Sequence, residues 1–246
     1  MARAWSRSCW QLGLAGTLTI ANLVGNDRSL AQLVPDTTLG SETSTLVPNV
    51  NIGGVLSDRI EGGALRGINL FHSFSQFNVG AGRGVYFANP AGVQNILTRV
   101  TGNTPSAILG RLGVLGTANL YLLNPNGIVF GPGASLDVQG SFIASTASEI
   151  QLGSGQFSAT APATSTLLNV QPGALFLNAL AQQSGITNQA TLAAGQNLQL
   201  VAGNISSSGS LLAPSGAVQV EARSGNATIQ AVTAQTADLR ASHDLL

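Results

Sequence analysis

The sequence predicts an all-β chain folded as a right-handed parallel β-helix, in which successive coils of the chain stack along one axis. Three observations support this fold class. Short apolar runs are separated by Gly, Asn and Pro corners, similar residues recur at a regular interval, and only 8% of the 246 residues are charged.

The recurrence is clearest in the second half of the chain. The interval from Leu192 to Leu211 nearly equals the interval from Leu198 to Val218, at about 20 positions each. A longer echo joins PGASLDV, PGALFLN and PSGAVQV at about twice that interval, which two turns of the same length would explain. At a strand spacing of about 4.8 Å, some 215 residues would form about ten coils and a rod roughly 45–50 Å long. A β-sandwich or Greek-key barrel would accommodate the strands but gives no reason for this spacing.

One stretch has a helical pattern. In GVQNILTRV, residues 92–100, Val93, Ile96, Leu97 and Val100 fall at i, i+3, i+4 and i+7. This spacing predicts a single short helix or helical corner.

Composition excludes several classes of protein. Recurrent Val, Ile and Leu with zero net charge argue against disorder, and scattered Arg residues balanced by acids argue against a nucleic-acid surface. The N-terminus reads as a secretory signal peptide, residues 1–31, because Arg3 and Arg7 precede an apolar stretch and Ser29 and Ala31 fit a cleavage site. Cleavage would remove the only cysteine, Cys9, so no disulfide is expected.

The two ends of the mature chain differ from its repeats. Residues 32 to about 90 lack the repeat and are expected to cap the β-helix, with regular coils beginning near Val79. Residues 151–246 are expected to continue the coils. The last residues, DLRASHDLL, stop within a strand-like unit without a cap, which is expected of a chain that continues in the natural protein or has been cut.

A tight turn interrupts the apolar run LYLLNPNGIVF. Asn124, Pro125, Asn126 and Gly127 fit its four positions, and Ile128 resumes the strand. Asn suits the first position, Pro the second and Gly the fourth of a type I turn. Type II remains open, because Asn126 also tolerates a positive φ.

Several segments of the sequence together resemble a known family. DRIEGGALRGINLFHSFSQFNVG, NILTRVTGN and the long stretch around NPNGI, within residues 33–150, resemble the N-terminal secretion domain of filamentous-haemagglutinin-type exoproteins. The resemblance implies a right-handed parallel β-helix with an N-terminal cap, and it assigns residues 32–150 to the two-partner secretion (haemagglutination activity) domain. Asn124 to Ile128 match the family's NPNGI motif. The second family motif, NPNL, has a partial counterpart in which only Asn89 and Pro90 agree.

The resemblance also implies a pathway and partners. The general secretory machinery would carry the chain across the inner membrane. Periplasmic modules of a TpsB-type outer-membrane transporter would then bind the domain, and the chain would leave through the barrel to become a secreted or cell-surface adhesin. Asp58, Arg59, Glu61 and Arg66 form the densest charged patch and are candidate transporter contacts, although ordinary surface ion pairs of the cap are the favoured explanation.

Other functional classes have less support. A self-contained surface β-helix that binds glycans is the main alternative. For an adhesin, the further partner would be a cell-surface or glycan receptor. A polysaccharide-degrading enzyme would need paired carboxylates, and Glu221 and Asp238 are separated by less than one coil. No catalytic residue, cofactor or metal site is expected. His72 is predicted to be a partly buried cap residue, and Phe71, Phe74 and Phe77 are predicted core residues that could instead form an exposed docking edge.

Overall fold

A computed structural model describes residues 32–167 and 184–246. The predicted signal peptide and the PGALFLN run lie outside these ranges. The described chain is almost entirely β, as predicted, and its one helical element there is a 3-10 turn at Pro162–Thr164.

Twenty strands make up the described chain. They are β1 Gln32–Pro35, β2 Ser44–Ile52, β3 Val55–Gly62, β4 Ala64–Arg66, β5 Asn69–Asn78, β6 Gly84–Ala88, β7 Asn95–Val100, β8 Ser106–Ile108, β9 Arg111–Leu115, β10 Asn119–Leu123, β11 Ile128–Phe130, β12 Ser135–Asp137, β13 Phe142–Ser145, β14 Glu149–Leu152, β15 Gly155–Ser158, β16 Gly185–Asn188, β17 Leu192–Ala193, β18 Leu198–Ala202, β19 Asn204–Ala222 and β20 Ala227–Ala241.

The coils have three faces, each made of parallel strands. Strands β5, β7, β10, β13 and β18 form the first face, and β8, β11 and β16 form the second. Strands β3, β6, β9 and β12 form the third. The long strands β19 and β20 pair in parallel and continue the stack. Parallel stacking of this kind is the predicted β-helix.

Register is maintained by side chains that stack inside the coils. On the first face, one interior column consists of in-register, buried Leu70, Ile96, Leu120, Phe142, Leu198 and Val218. The pairs Leu192–Leu211 and Leu198–Val218, expected from the sequence, are direct partners. The recurrence in the sequence is therefore a true coil length at the C-terminal end.

The number of coils is smaller than predicted. The described residues form about seven turns, rather than the ten predicted for the mature chain. Early coils are longer: among the uninterrupted coils, the interval between column partners is greatest from Leu70 to Ile96, shortens at each step to Phe142, and is shortest from Leu198 to Val218. In addition, the chain leaves the coils after Ser145, where it forms the β14–β15 hairpin, and the next described strand of the coils, β16, begins at Gly185.

The longer echo in the sequence is not structural. Ser135–Asp137, from the first copy, lies on the third face of the coils. Val218, from the last copy, lies on the first face. The two copies therefore do not stack on each other.

The cap is also shorter than predicted. Strands β1 and β4 pair antiparallel with β5, and β2 pairs antiparallel with β3. Strands β3 and β5 already have parallel partners on their other sides. The parallel strands of the coils therefore begin with β3 at Val55 and β5 at Asn69, before the predicted start near Val79, and antiparallel strands cover the first edge.

The predicted helix at residues 92–100 is wrong. Asn95–Val100 is strand β7, and all six of its residues are buried. Ile96 faces the interior of the coils, and Leu97 packs in a separate cluster outside them. A strand with apolar residues on both faces loses its period of two, and here the remaining pattern imitates a helical stripe.

A row of asparagine side chains lies at the start of the first-face strands β5, β7 and β10. Nδ2 of Asn95 donates to Oδ1 of Asn69 at 2.9 Å, and Nδ2 of Asn119 donates to Oδ1 of Asn95 at 3.0 Å. Oδ1 of Asn119 accepts from the backbone amide of Ser141 at 2.9 Å. Each amide therefore joins its coil to the next in register.

A second apolar core lies outside the coils. The antiparallel hairpin β14–β15 covers the outward side of the first face. Rings of Phe71 and Phe157 meet edge to face with centroids 5.0 Å apart. The buried members of this core are Leu39, Ala64, Phe71, Leu97, Leu123, Ile143, Ala147, Ile150, Leu152, Phe157, Ala159 and Val201.

Arg99 joins this second core to the coils and the cap. Its side chain is fully buried, and every N–H group of its guanidinium donates. Nε donates to Oγ of Ser73 at 2.9 Å. One terminal nitrogen donates to the Ser158 carbonyl at 2.7 Å and Oγ of Ser165 at 2.6 Å. The other donates to the carbonyl and Oγ1 of Thr38, at 2.9 and 2.8 Å.

The guanidinium of Arg99 stays protonated despite its burial. Burial lowers the pKa of Arg99 to about 10, and the charge of Asp36 opposes that change. The guanidinium carbon also lies 4.5 Å from the ring centre of Phe157. At neutral pH the buried cation is therefore protonated and fully hydrogen-bonded.

Replacement of Arg99 should destabilise the whole domain. Arg99→Met keeps much of the side-chain volume but leaves the carbonyl groups of Thr38 and Ser158 without these donors. We expect a loss of roughly 3–5 kcal/mol in the free energy of unfolding, as for a broken buried polar network. Urea unfolding followed by circular dichroism measures it, with Arg59→Met as the partly exposed control. Equal unfolding midpoints for the two variants would refute the role of Arg99.

Candidate functional site: the NPNGI corner and the cap

The NPNGI stretch forms the predicted turn. The amide N–H of Gly127 donates to the carbonyl of Asn124 at 3.1 Å, which closes a four-residue turn. Gly127 has φ of 115°, whereas Asn126 is not among the residues with positive φ. A type II turn requires positive φ at the third position, so the turn is type I.

The side chain of Asn124 points into the protein. It is fully buried, and its Nδ2 donates to the carbonyl of Thr104 and to Oγ of Ser106, both at 3.0 Å. Its Oδ1 accepts from the backbone amide of Asn126 at 3.0 Å. Asn124 therefore shapes its own turn and ties it to the preceding coil.

The rest of the motif joins the same corner to the coil that follows. Ile128 is buried and pairs with Ser106 on one side and Ile186 on the other. A Cβ atom at Gly127 would lie 3.2 Å from the carbonyl oxygen of Gly185, and its φ disfavours other residues. Pro125 is buried, which leaves Asn126 as the exposed side chain of the motif.

The partial second motif forms a different corner. The amide of Val93 donates to the Pro90 carbonyl at 3.1 Å, and Gly92 has φ of 85°. Asn89 accepts at Oδ1 from the backbone amide of Ala118 at 3.0 Å, and its Nδ2 donates to the Val93 carbonyl at 3.1 Å. Asn89 thus links its turn to the next coil, as Asn124 links to the previous one.

The four candidate contact residues do not form one patch. Asp58 is 8% exposed and pairs with buried Arg83, with Oδ1 and the guanidinium nitrogen 2.8 Å apart. Oδ1 of Asp58 also accepts from the backbone amide of Asn49 at 3.0 Å, where φ is 60°. Asp58 therefore fixes the backbone of β2 from beneath the surface.

The other three candidates lie in two partly exposed pairs. Arg59 and Glu61 pair at 2.6 Å on one strand, and each side chain is partly exposed. Arg66 pairs with Glu42 at 2.7 Å, with two hydrogen bonds between the guanidinium and the carboxylate. These pairs are the accessible part of the predicted patch.

His72 is more buried than predicted. It is 0% exposed, its Nδ1 lies 3.0 Å from Oγ of Ser44, and its ring centre lies 5.2 Å from that of Phe87. Burial lowers the pKa of His72 to about 3. The three phenylalanines at 71, 74 and 77 are buried as well, which excludes the alternative of an exposed docking edge.

The carboxylates considered for catalysis lie near the C-terminal end. Asp238 is in register with Gln219, and Arg240 is in register with Glu221, so the two acids are diagonal neighbours on adjacent strands. Each acid pairs with an arginine of its own strand or its flank, Glu221 with Arg223 and Asp238 with Arg240. Within residues 32–167 and 184–246, no cluster of His, Cys or acidic residues is suited to hold a metal ion. In the same part of the chain, no helix is long and apolar enough to cross a membrane.

A family model described as the TPS secretion domain matches residues 31–243. The chain belongs to the TPS secretion-domain family. It is therefore a secretion-targeting domain of an exoprotein. The match extends beyond residues 33–150, on which the resemblance was based.

Two solved structures of secretion domains are similar to this chain. The HMW1 secretion domain from Haemophilus influenzae has 17% identity and a TM-score of 0.47, with 86% of this chain and 74% of that chain covered. The filamentous hemagglutinin secretion domain also has 17% identity, with a TM-score of 0.44 and 87% and 99% coverage. A comparison with curated protein sequences finds no match.

Membership of the TPS family defines the general partner. TPS domains are recognised by TpsB-type outer-membrane transporters, and family members are exported through them to the cell surface or the extracellular space.

The buried histidine predicts a pH dependence of stability. The pKa of His72 is about 3 in the folded TPS domain, whereas its ordinary value, which applies to the unfolded chain, is 6.5. Between these two pH values the unfolded chain binds a proton that the folded chain does not. Stability should therefore fall as pH falls from about 6.5, by up to about 1.4 kcal/mol per unit.

Chemical unfolding between pH 6.5 and 4.5 tests this, because carboxylates titrate mainly below that window. His72→Leu should flatten the profile, whereas His243→Gln, at an exposed position, should not. An unchanged slope in His72→Leu would contradict the assignment.

Proposed function

We propose that this TPS domain directs its exoprotein to a partner transporter by presenting a folded cap and first coils to the transporter's periplasmic modules. The family match over residues 31–243 is the observation that carries this proposal. The function requires binding and no catalytic step.

The signal peptide and destination complete the proposed route. Residues 1–31 have the charged start, apolar stretch and small cleavage-site residues of a substrate of the general secretory machinery. The exoprotein would then be an adhesin of the haemagglutinin type, released or displayed at the cell surface, where a cell-surface or glycan receptor would be its target.

The accessible charged pairs are the proposed contact points. Arg59 and Glu61 lie on β3 and Arg66 lies on β4. All three are partly exposed, so a periplasmic module could exchange their ion pairs for its own. Exposed pairs contribute only about 0–1 kcal/mol each to stability, so their replacement costs the fold little. Asp58 would act indirectly, through its buried pair with Arg83.

The NPNGI motif is proposed to act through folding. Asn124 is fully buried, and its polar atoms are used within the protein. A transporter could contact that side chain only if the corner opened. The motif therefore contributes by fixing the corner between β10 and β11, and secretion depends on it because the folded surface does.

Export with and without the partner barrel tests the proposed function. The full chain should reach the medium or cell surface when the barrel is present and should accumulate in the periplasm when it is absent. Immunoblots of periplasm and medium measure both states. A second export substrate that does not use the barrel serves as control. Equal export in the two strains would exclude the proposal.

Two substitutions test the role of the corner. Asn124→Ala removes a fully used buried amide, with an expected cost of about 1–3 kcal/mol. Gly127→Val places a β-branched residue at positive φ, with an expected cost of about 1–2 kcal/mol. Melting temperature and export should fall together in both variants. If Asn124→Ala abolishes export while melting is unchanged, the motif is read directly and the folding role is wrong.

A further inference from the structure

Asn126, the exposed residue of the NPNGI motif, forms a reactive dipeptide with the residue that follows it. Asn126 is followed by Gly127, and no other Asn-Gly pair occurs in the 246-residue sequence. Glycine has no Cβ, so its backbone nitrogen can approach the side-chain carbonyl carbon of the preceding asparagine. Asn-Gly is for this reason the sequence most prone to spontaneous deamidation.

The reaction needs water and no other reagent. The backbone nitrogen of Gly127 loses its proton to solvent and bonds to Cγ of Asn126. The bond from Cγ to Nδ2 breaks, and Nδ2 takes up a proton and leaves as ammonia. Water then opens the resulting succinimide at either of its two carbonyl carbons, which gives aspartate or isoaspartate.

The folded corner keeps the two reacting atoms apart. The N–H of Gly127 is held by the Asn124 carbonyl at 3.1 Å. Nδ2 of Asn126 donates to the Gly102 carbonyl at 2.7 Å and to Oδ1 of Asn124 at 3.2 Å. Ring closure also requires ψ of Asn126 to rotate by roughly 120° from its value near 0° in a type I turn, because Cβ must align with the Gly127 nitrogen.

We propose that Asn126 is a deamidation site controlled by folding: it is protected in the folded corner and reactive while the chain is unfolded. The products cannot rebuild the corner. An aspartate would place its carboxylate against two acceptors, the Gly102 carbonyl and Oδ1 of Asn124. Isoaspartate adds a methylene to the main chain and breaks the geometry of the four-residue turn. Deamidation therefore limits how long a chain can stay unfolded before export and still form the corner.

Peptide mass spectrometry of the full chain tests the protection. Samples are aged at the same mildly alkaline pH in native buffer and in denaturing urea, and the conversion of Asn126 is followed in both. Conversion should be at least about tenfold faster in urea, since reaction in the folded chain requires local opening. Asn103 is exposed but precedes Thr104, and it is the internal control that should react slowly in both samples. Equal rates for Asn126 in both samples, or no conversion in urea, would overturn the proposal.

Two variants test the mechanism and its consequence. Gly127→Ala should slow conversion in urea severalfold, since a Cβ hinders ring closure. An unchanged rate would overturn the mechanism. Asn126→Asp reproduces one product and should raise the unfolding equilibrium constant about tenfold through the lost hydrogen bonds. Wild-type stability in Asn126→Asp would overturn the proposed limit on the unfolded chain. These readouts do not involve export, so they succeed or fail independently of the proposed function.

Discussion

Backbone hydrogen bonding between coils is the constraint on which the rest of this structure depends. A coil has no partner of its own, so the N–H and C=O groups of each strand must meet those of the coils on either side. A slip of one residue would turn every interior side chain outward. The interior column from Leu70 to Val218 and the amide row from Asn69 to Asn119 both act against such a slip. The two asparagine-containing corners do the same where the chain changes direction.

The second constraint is that one face of the coils is apolar on both sides. Leu97 and Ile143 point away from the interior of the coils. They would contact water if the excursion, the segment after Ser145 that includes the β14–β15 hairpin, did not cover them. Arg99 makes that cover specific, because its donors fit groups from the cap, the first face and the excursion at once. The charged candidates of the cap therefore rest on a buried scaffold, and their partly exposed pairs add little to its stability.

Sequence patterns predicted the regular parts of the fold and missed its interruptions. The coil length near Leu198 and the turn at Asn124 could be read directly, because stacked aliphatic residues and turn chemistry are local signals. The excursion could not, since Ile150 and Phe157 have the same character as coil residues and bury themselves on the outside of the first face. The same segment buries Leu97, so β7 has apolar residues on both faces and its sequence lacks the alternation typical of a strand. Arg99 carried no local signal either, because its partners lie far along the chain.

The placement of Arg99 has a consequence for the order of folding. Its bonds to Thr38 and Ser165 join residues 61 positions before it and 66 positions after it. Contacts of such long sequence separation form late, because closing the loops between them costs entropy. As the chain folds, early coils can stack first, but the set of hydrogen bonds around Arg99 is incomplete until Ser165 is in place. The N-terminal part of this domain is therefore one cooperative unit, whereas the uniform coils after Gly185 can be added individually.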